Sequence, residues 1–240
     1  MVSKIISCFI FCFAASVGAD TVEFENPKSR VVGGAFAKQD QFPYHAQIKW
    51  RSSSHQNLFC GASIIHPKYV LTAARCVYDA RPENLYVSIG AVFTEWGYHF
   101  EAERIILRDP YYEWDGPNDV ALIASRSLLR MGRSKRCSIN RAEFVTLDTI
   151  SNEECEKYWG SRVTPDKICT MPKDGKGTCG TDAGGPLSYY GLQIGIIGWT
   201  EFECDSGKPE LHTRVAPYAN WISNIINGRF IPVCSEYTHV

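Results

Sequence analysis

A chain of 240 residues with 45% hydrophobic and 12% aromatic side chains can bury the core of one large or two small domains, which excludes an intrinsically disordered polypeptide. Its formal net charge of -1 excludes the basic footprint of a nucleic-acid binder. Residues 1–30 carry as many acidic as basic side chains, so that balance survives their removal.

The first element is a leader. Lys4 precedes an apolar run from Ile5 to Val17 that ends in the small residues Gly18 and Ala19, the layout of a secretory signal peptide over 1–19. The run is too short to span a bilayer, and no later segment reaches that length, so a secreted, extracellular protein with no membrane partner is expected. A polar stretch, DTVEFENPKSR, fills 20–30 and ends at Arg30 before Val31, Val32 and two glycines. It reads as a propeptide, with 31–240 as the mature domain. From Val31 onward short β-type runs follow one another: AQIKW, ASIIHPKYVLTAA, LYVSIG, HFEAERIIL, DVALIA and LQIGIIGWT, separated by Gly, Pro, Asn and Ser. Many short strands at this spacing predict an all-β sandwich or barrel. Near the end, PYANWISNIINGR sets Trp221, Ile222, Ile225 and Ile226 on one side at helical spacing, with Gly228 as its stop.

Ten cysteines include Cys8 and Cys12 in the leader. The remaining even set, Cys60, Cys76, Cys137, Cys155, Cys169, Cys179, Cys204 and Cys234, predicts disulfides in an oxidising compartment without fixing their connectivity. No Asn-x-Ser/Thr sequon occurs. The histidines His45, His55, His66, His99, His212 and His239 are scattered without metal-ligand spacing, so neither a metal nor a cofactor is expected.

RVVGG at 30–34, CGASIIHPKYVLTAARC at 60–76, NDVALI at 118–123, CGTDAGGP at 179–186, IIGWT at 196–200 and the terminal helix together resemble the chymotrypsin and trypsin family of serine proteases. The resemblance covers nearly all of 30–228. It implies two packed antiparallel β-barrels, a C-terminal helix and an active site in the cleft between the barrels. It places the catalytic carboxylate at Asp119, the general base at Arg75 and the nucleophile at Ala183. Peptide cleavage here needs an oxygen nucleophile, an imidazole and an orienting carboxylate. Arginine stays protonated and offers no acceptor, and alanine has nothing to deprotonate. A satisfied salt bridge between Arg75 and Asp119 is the expected replacement.

The same resemblance places Thr181 where a glycine lends its N–H to the oxyanion, and a β-branched side chain obstructs close approach there. Gly177 stands at the specificity-pocket floor, with Thr200 and Glu210 at two wall positions that are glycine in the family. The pocket is expected to be narrowed or filled; the alternative is that Glu210 supplies a relocated carboxylate that still holds a basic side chain. Asp182 matches the residue that receives the new amino terminus, Val31, after a cut at Arg30. The implied disulfides are Cys60 with Cys76, Cys155 with Cys169 and Cys179 with Cys204. Cys137 and Cys234 are left to pair with each other or with another chain, the intramolecular bond being favoured.

The stretch between Asp119 and Cys155 is shorter than the family usually shows, so part of the second barrel is expected to be rebuilt or lost. It carries Arg130, Arg133, Lys135 and Arg136, while Glu201, Glu203, Asp205 and Glu210 read as an acidic set around the pocket mouth. The combined loss of base, nucleophile and pocket glycines is similar to the inactivated paralogues of the mite group 3 allergens known from scabies mites. That similarity implies a secreted, monomeric, inactive homologue whose partners are host proteins, among them complement components. A residually active endopeptidase and a decoy for protease substrates or inhibitors are the rival expectations.

Overall fold

The computed structural model describes residues 31–38, 41–51, 57–90, 98–111, 117–130, 143–199, 204 and 206–228, the side chains of 51, 57–59 and 199 excepted. Arg30, Cys137, Thr200 and Cys234 lie outside them, as do Arg133, Lys135, Arg136, Glu201, Glu203 and Asp205. Among the described residues no helix is long and apolar enough to cross a membrane.

Two short strands open the domain, β1 (Val31–Val32) and β2 (Ala35–Phe36). The next six are β3 (His45–Arg51), β4 (Asn57–His66), β5 (Tyr69–Thr72), β6 (Leu85–Ile89), β7 (Tyr98–Leu107) and β8 (Ala121–Ser125). They close into a barrel in the order β3-β4-β5-β8-β7-β6. Alternation fills its interior: Ala46 and Ile48 on β3 and Leu85, Val87 and Ile89 on β6 are buried, while Lys49 and Tyr86 pair on the outer face. The predicted run from Ala62 to Ala74 is broken at Pro67-Lys68, where the chain turns back from β4 into β5.

The second half is built from β9 (Glu143–Phe144), β10 (Asp148–Ile150), β11 (Lys167–Met171), β12 (Gly177–Thr178), β13 (Pro186–Tyr189), β14 (Leu192–Trp199) and β15 (Glu210–Arg214). Five of them form an open antiparallel sheet, β10-β11-β15-β14-β13, while β9 pairs with β2 and β12 with β1. Among the described residues this half is an open half-barrel beside the closed first barrel. Between β8 and Cys155 the described chain supplies only the two-residue β9 and the three-residue β10, too little strand to complete a barrel.

Among the described residues two α-helices flank the sheets. One, α1 (Asn152–Trp159), is absent from the sequence prediction; Ser151 caps it by accepting the Glu154 N–H at 3.1 Å. The other, α2 (Ala219–Ile226), matches the predicted terminal helix and joins the first barrel's core through Ile225, with Trp221 and Ile222 packed alongside. Within the same residues, disulfides join Cys60 to Cys76, Cys155 to Cys169 and Cys179 to Cys204.

Candidate functional site

Arg75 sits in a single 3-10 turn, Ala74–Cys76, directly after β5. The turn fits against the barrel because Ala73 and Ala74 are fully buried and small. It is pinned by the Cys60–Cys76 disulfide and by the Trp50 indole N–H, which donates to the Cys76 carbonyl at 3.0 Å. Asp119 leads into β8 from Asn118, a non-glycine residue at φ +69°. That conformation is held from the far end of the chain, where the Asn118 backbone N–H donates to the Tyr218 hydroxyl at 3.0 Å.

The two side chains meet. Arg75 Nε donates to Asp119 Oδ2 at 2.8 Å and Nη2 lies 2.5 Å from the same oxygen, while the Arg75 backbone N–H donates to Oδ1 at 3.0 Å. Asp119 is buried and Arg75 nearly so, so the pair is a shielded one in which both carboxylate oxygens are engaged. The base and carboxylate positions are thus joined as the ion pair that the sequence predicts. Its guanidinium can donate but cannot accept a proton.

Ala183 is buried as well. The glycines beside it are held by crowding. Gly184, at φ +83°, has no room for a Cβ, which would meet Thr72 Oγ1 and the Gly61 carbonyl. A Cβ on Gly61 would sit 2.6 Å from Gly185 Cα. These contacts are where the barrel and the open sheet touch backbone to backbone.

Thr181 is exposed, within the 3-10 turn Gly180–Asp182. Asp182 is half-buried, and its Oδ2 accepts the Cys179 N–H at 2.8 Å. Val31 is buried in β1 and pairs with Thr178, next to Cys179 in the chain.

Glu210 corrects one expectation. It does not join an acidic set at the pocket mouth: it is 3% exposed. Its Oε1 accepts the Thr178 N–H at 2.6 Å and its Oε2 accepts the Thr170 hydroxyl at 2.9 Å. Thr170 Oγ1 also meets His212 Nε2 at 2.8 Å, and the Gly198 N–H donates to His212 Nδ1 at 3.2 Å. Because Nδ1 accepts, the neutral ring carries its proton on Nε2, which donates to Thr170. The chain of bonds runs from His212 to Thr170 to Glu210 without a break. Gly177 makes room for it, since a Cβ there would meet the Cys204 carbonyl and lie 3.1 Å from Glu210 Oε1.

Motif matching does not single out Thr170 and His212 as members of this cluster. Strand alternation carries the signal: in ELHT, Glu210 and His212 are two apart on β15 and share a face. Register then places Thr170 of β11 opposite Glu210.

A further buried network braces Asn118. The Tyr218 hydroxyl donates to Asp166 Oδ2 at 2.8 Å, Lys167 Nζ lies 3.3 Å from the same oxygen, and the Thr164 hydroxyl donates to Oδ1. Burial pushes the Asp166 carboxyl up, but the Thr164 hydroxyl, the Lys167 charge and the Tyr218 hydroxyl outweigh it and hold it below its usual range. Burial, and then the bond to Asp166, pushes the Tyr218 phenol well above its ordinary value. Among the described residues no group of His, Cys, Asp and Glu could hold a metal ion.

The trypsin family model matches residues 31–135 and 127–222. Chymotrypsin-2 of Vespa crabro is 30% identical over 222 residues, covering 80% of this chain and 98% of the relative. Collagenase of Hypoderma lineatum is 30% identical over 253 positions, covering 89% of this chain and 96% of that one. Among solved structures, HL collagenase superposes with a TM-score of 0.71 at 27% identity, over 83% of this chain and 100% of its own. The scabies mite inactivated protease paralogue S-D1 has the same fold, with a TM-score of 0.70 at 19% identity over 84% of this chain and 99% of its own. With the fold and the family match in agreement, the chain belongs to the trypsin family of serine proteases.

Proposed function

We propose that this protein is a secreted trypsin-family homologue that does not hydrolyse peptides and acts by binding other proteins. The observation that carries the reading is the closed Arg75–Asp119 pair on the turn whose Cys76 Sγ lies 3.6 Å from the carbonyl of Ala183, a residue with only a methyl side chain. No group at these positions can be deprotonated to attack a carbonyl, Arg75 cannot take up the proton, and both Asp119 oxygens are already engaged by Arg75. The Glu210 cluster supports it: both carboxyl oxygens accept donors from within the protein, which leaves them committed when a basic substrate side chain arrives. Thr181, at the oxyanion position, adds a third loss.

Processing after Arg30 would release Val31 to Asp182, whose half-buried carboxylate then orders the loops around it. N-terminal sequencing of the secreted protein is expected to begin at Val31; a start at Asp20 would contradict processing. The disulfides support an extracellular setting. The partner class we assign is host protein, with complement components first, on the likeness of the motif losses to inactivated mite paralogues; a structural neighbour is named as an inactivated protease.

The test is a pull-down from host plasma with the mature protein, together with labelling by an active-site phosphonate. Recovery of complement components without covalent labelling supports the reading. Labelling would establish a working nucleophile, and recovery of protease inhibitors or dietary protein would indicate the decoy.

A further inference from the structure

Among the described residues the same two-residue hairpin turn occurs twice, made with different residues. Between Lys173 and Lys176 the turn is Asp174-Gly175, with φ +56° and +71°. Between Tyr189 and Leu192, at the end of β13 and β14, it is Tyr190-Gly191, with φ +47° and +79°. Positive φ at both central residues is the turn that matches strand twist, and Asn, Asp or Gly ordinarily fills its first position. A bulky aromatic residue there is a backbone outlier. Asp174 fits the turn, whereas Tyr190 is tolerated in spite of it.

Tyr190 gains nothing from burial, because it is 89% exposed, and its neighbours Tyr189 and Leu192 are 61% and 70% exposed. Its ring meets Tyr189 edge-on at 4.5 Å between centroids, so the two phenols stand as one preformed pair. The hairpin beneath them is anchored: Ser188 Oγ accepts from the Tyr44 hydroxyl at 3.1 Å, and the Ser63 hydroxyl donates to Gln193 Oε1 at 2.6 Å. The tip is thus a rigid aromatic projection. Its sequence, SYYGL, has the Ser, Tyr and Gly content of surfaces that bind proteins through stiff amphipathic side chains.

The occupant follows from charge and area. No charged residue occurs between Asp182 and Glu201, so the tip has no attraction for anionic lipid or nucleic acid and fits an uncharged surface. It offers roughly 400 Å² of apolar area. Two such convex tips cannot enclose one another and would bury at most about 800 Å², below the ~1,200 Å² at which stable interfaces begin, whereas a concave slot closes around the tip and adds contacts beyond it. We propose that Tyr189, Tyr190 and Leu192 form a docking anchor that inserts into an uncharged concave slot of a different protein, with acceptors at the slot's rim for the two phenol hydroxyls. The anchor rests on the binding function proposed above and names the surface that a non-hydrolytic binder would use.

The experiment uses the mature chain carrying benzoylphenylalanine in place of Tyr190, or, as a control, in place of the exposed Tyr158 on α1, irradiated in host plasma. The expected result is one plasma protein crosslinked from position 190 and not from 158. In purified form that protein should bind the native chain at least about tenfold more tightly than it binds Tyr190→Asn. Asparagine suits the positive φ, so this variant should unfold at the same or a higher temperature, which separates loss of the anchor from loss of fold. No crosslink above the control, or equal binding by Tyr190→Asn, overturns the proposal. So does Tyr190-dependent self-association in sedimentation, or Tyr190-dependent binding to phosphatidylcholine vesicles. Complement proteins recovered equally by native chain and variant would overturn the anchor and leave the binding function standing. A crosslinked partner from outside complement would do the reverse to the complement assignment.

Discussion

Asp119 and Glu210 are buried carboxyl groups on the two sides of the seam between barrel and sheet, and they are held by opposite means. Asp119 faces a permanent cation, with Arg75 Nε at 2.8 Å and the Arg75 backbone N–H at 3.0 Å. Glu210 is held by a backbone N–H and by a hydroxyl that relays to an imidazole. The first arrangement is a charge pair and depends on one residue, Arg75. The second fills the space left by the absent side chain at Gly177 and spreads its support over three strands, β11, β12 and β15. One is therefore brittle to a single substitution and the other is graded.

Removing the single cation at the brittle carboxylate should give the largest effect. Arg75→Ala strands a buried carboxylate and is expected to cost about 3 to 5 kcal/mol in urea unfolding at neutral pH. Adding Asp119→Asn to Arg75→Met, which keeps an acceptor for the backbone N–H but removes both charges, should recover more than half of that loss. If Arg75→Ala is near neutral, the pair is not the shielded one described. At the graded carboxylate, Thr170→Val preserves shape while removing the relay between His212 and Glu210. Its expected cost is about 1 to 3 kcal/mol, read in the same unfolding experiment, and a cost equal to that of Arg75→Ala would erase the contrast.

Asp166 stands between these two cases, since it combines a cation with neutral donors. Its carboxyl is held low in the folded state, so its contribution is present above the ordinary aspartate range, about pH 3.9, and is lost as pH falls through the lower folded value. Tyr218 is held high, so its contribution is complete below about pH 10 and is lost as pH rises from there toward the higher folded value. Tyr218→Phe should flatten the alkaline limb of the stability profile and shift the acid limb upward. An unchanged profile would mean that the Tyr218–Asp166 bond contributes nothing to stability.

Much of this was legible in the chain because the frame of the seam is set by residues with one steric solution. Gly184 and Gly61 stand where a Cβ would strike backbone, and Cys60 and Cys76 fix the turn beside them; these letters mark the positions from which Arg75, Asp119 and Ala183 are located. The half-barrel was less legible, because the local β pattern of each strand says nothing about which sheet edges close. The helix α1 was signalled by the capping serine of SNEE, a short-range mark that the all-β pattern of the flanking runs obscures. The Glu210 cluster needs register across β11 and β15, a tertiary fact. Tyr190 is invisible to hydrophobic patterning, since its meaning lies in a positive φ that only the folded turn displays.

Whether this seam can cut a peptide bond is the question on which the assigned function turns. The decisive measurement is incubation of the mature protein, processed to Val31, with a diverse peptide library and mass-spectrometric readout of new termini over a day. The prediction is a cleavage profile indistinguishable from buffer. New termini at defined positions, formed in proportion to protein concentration and abolished by Asp119→Ala, would contradict it.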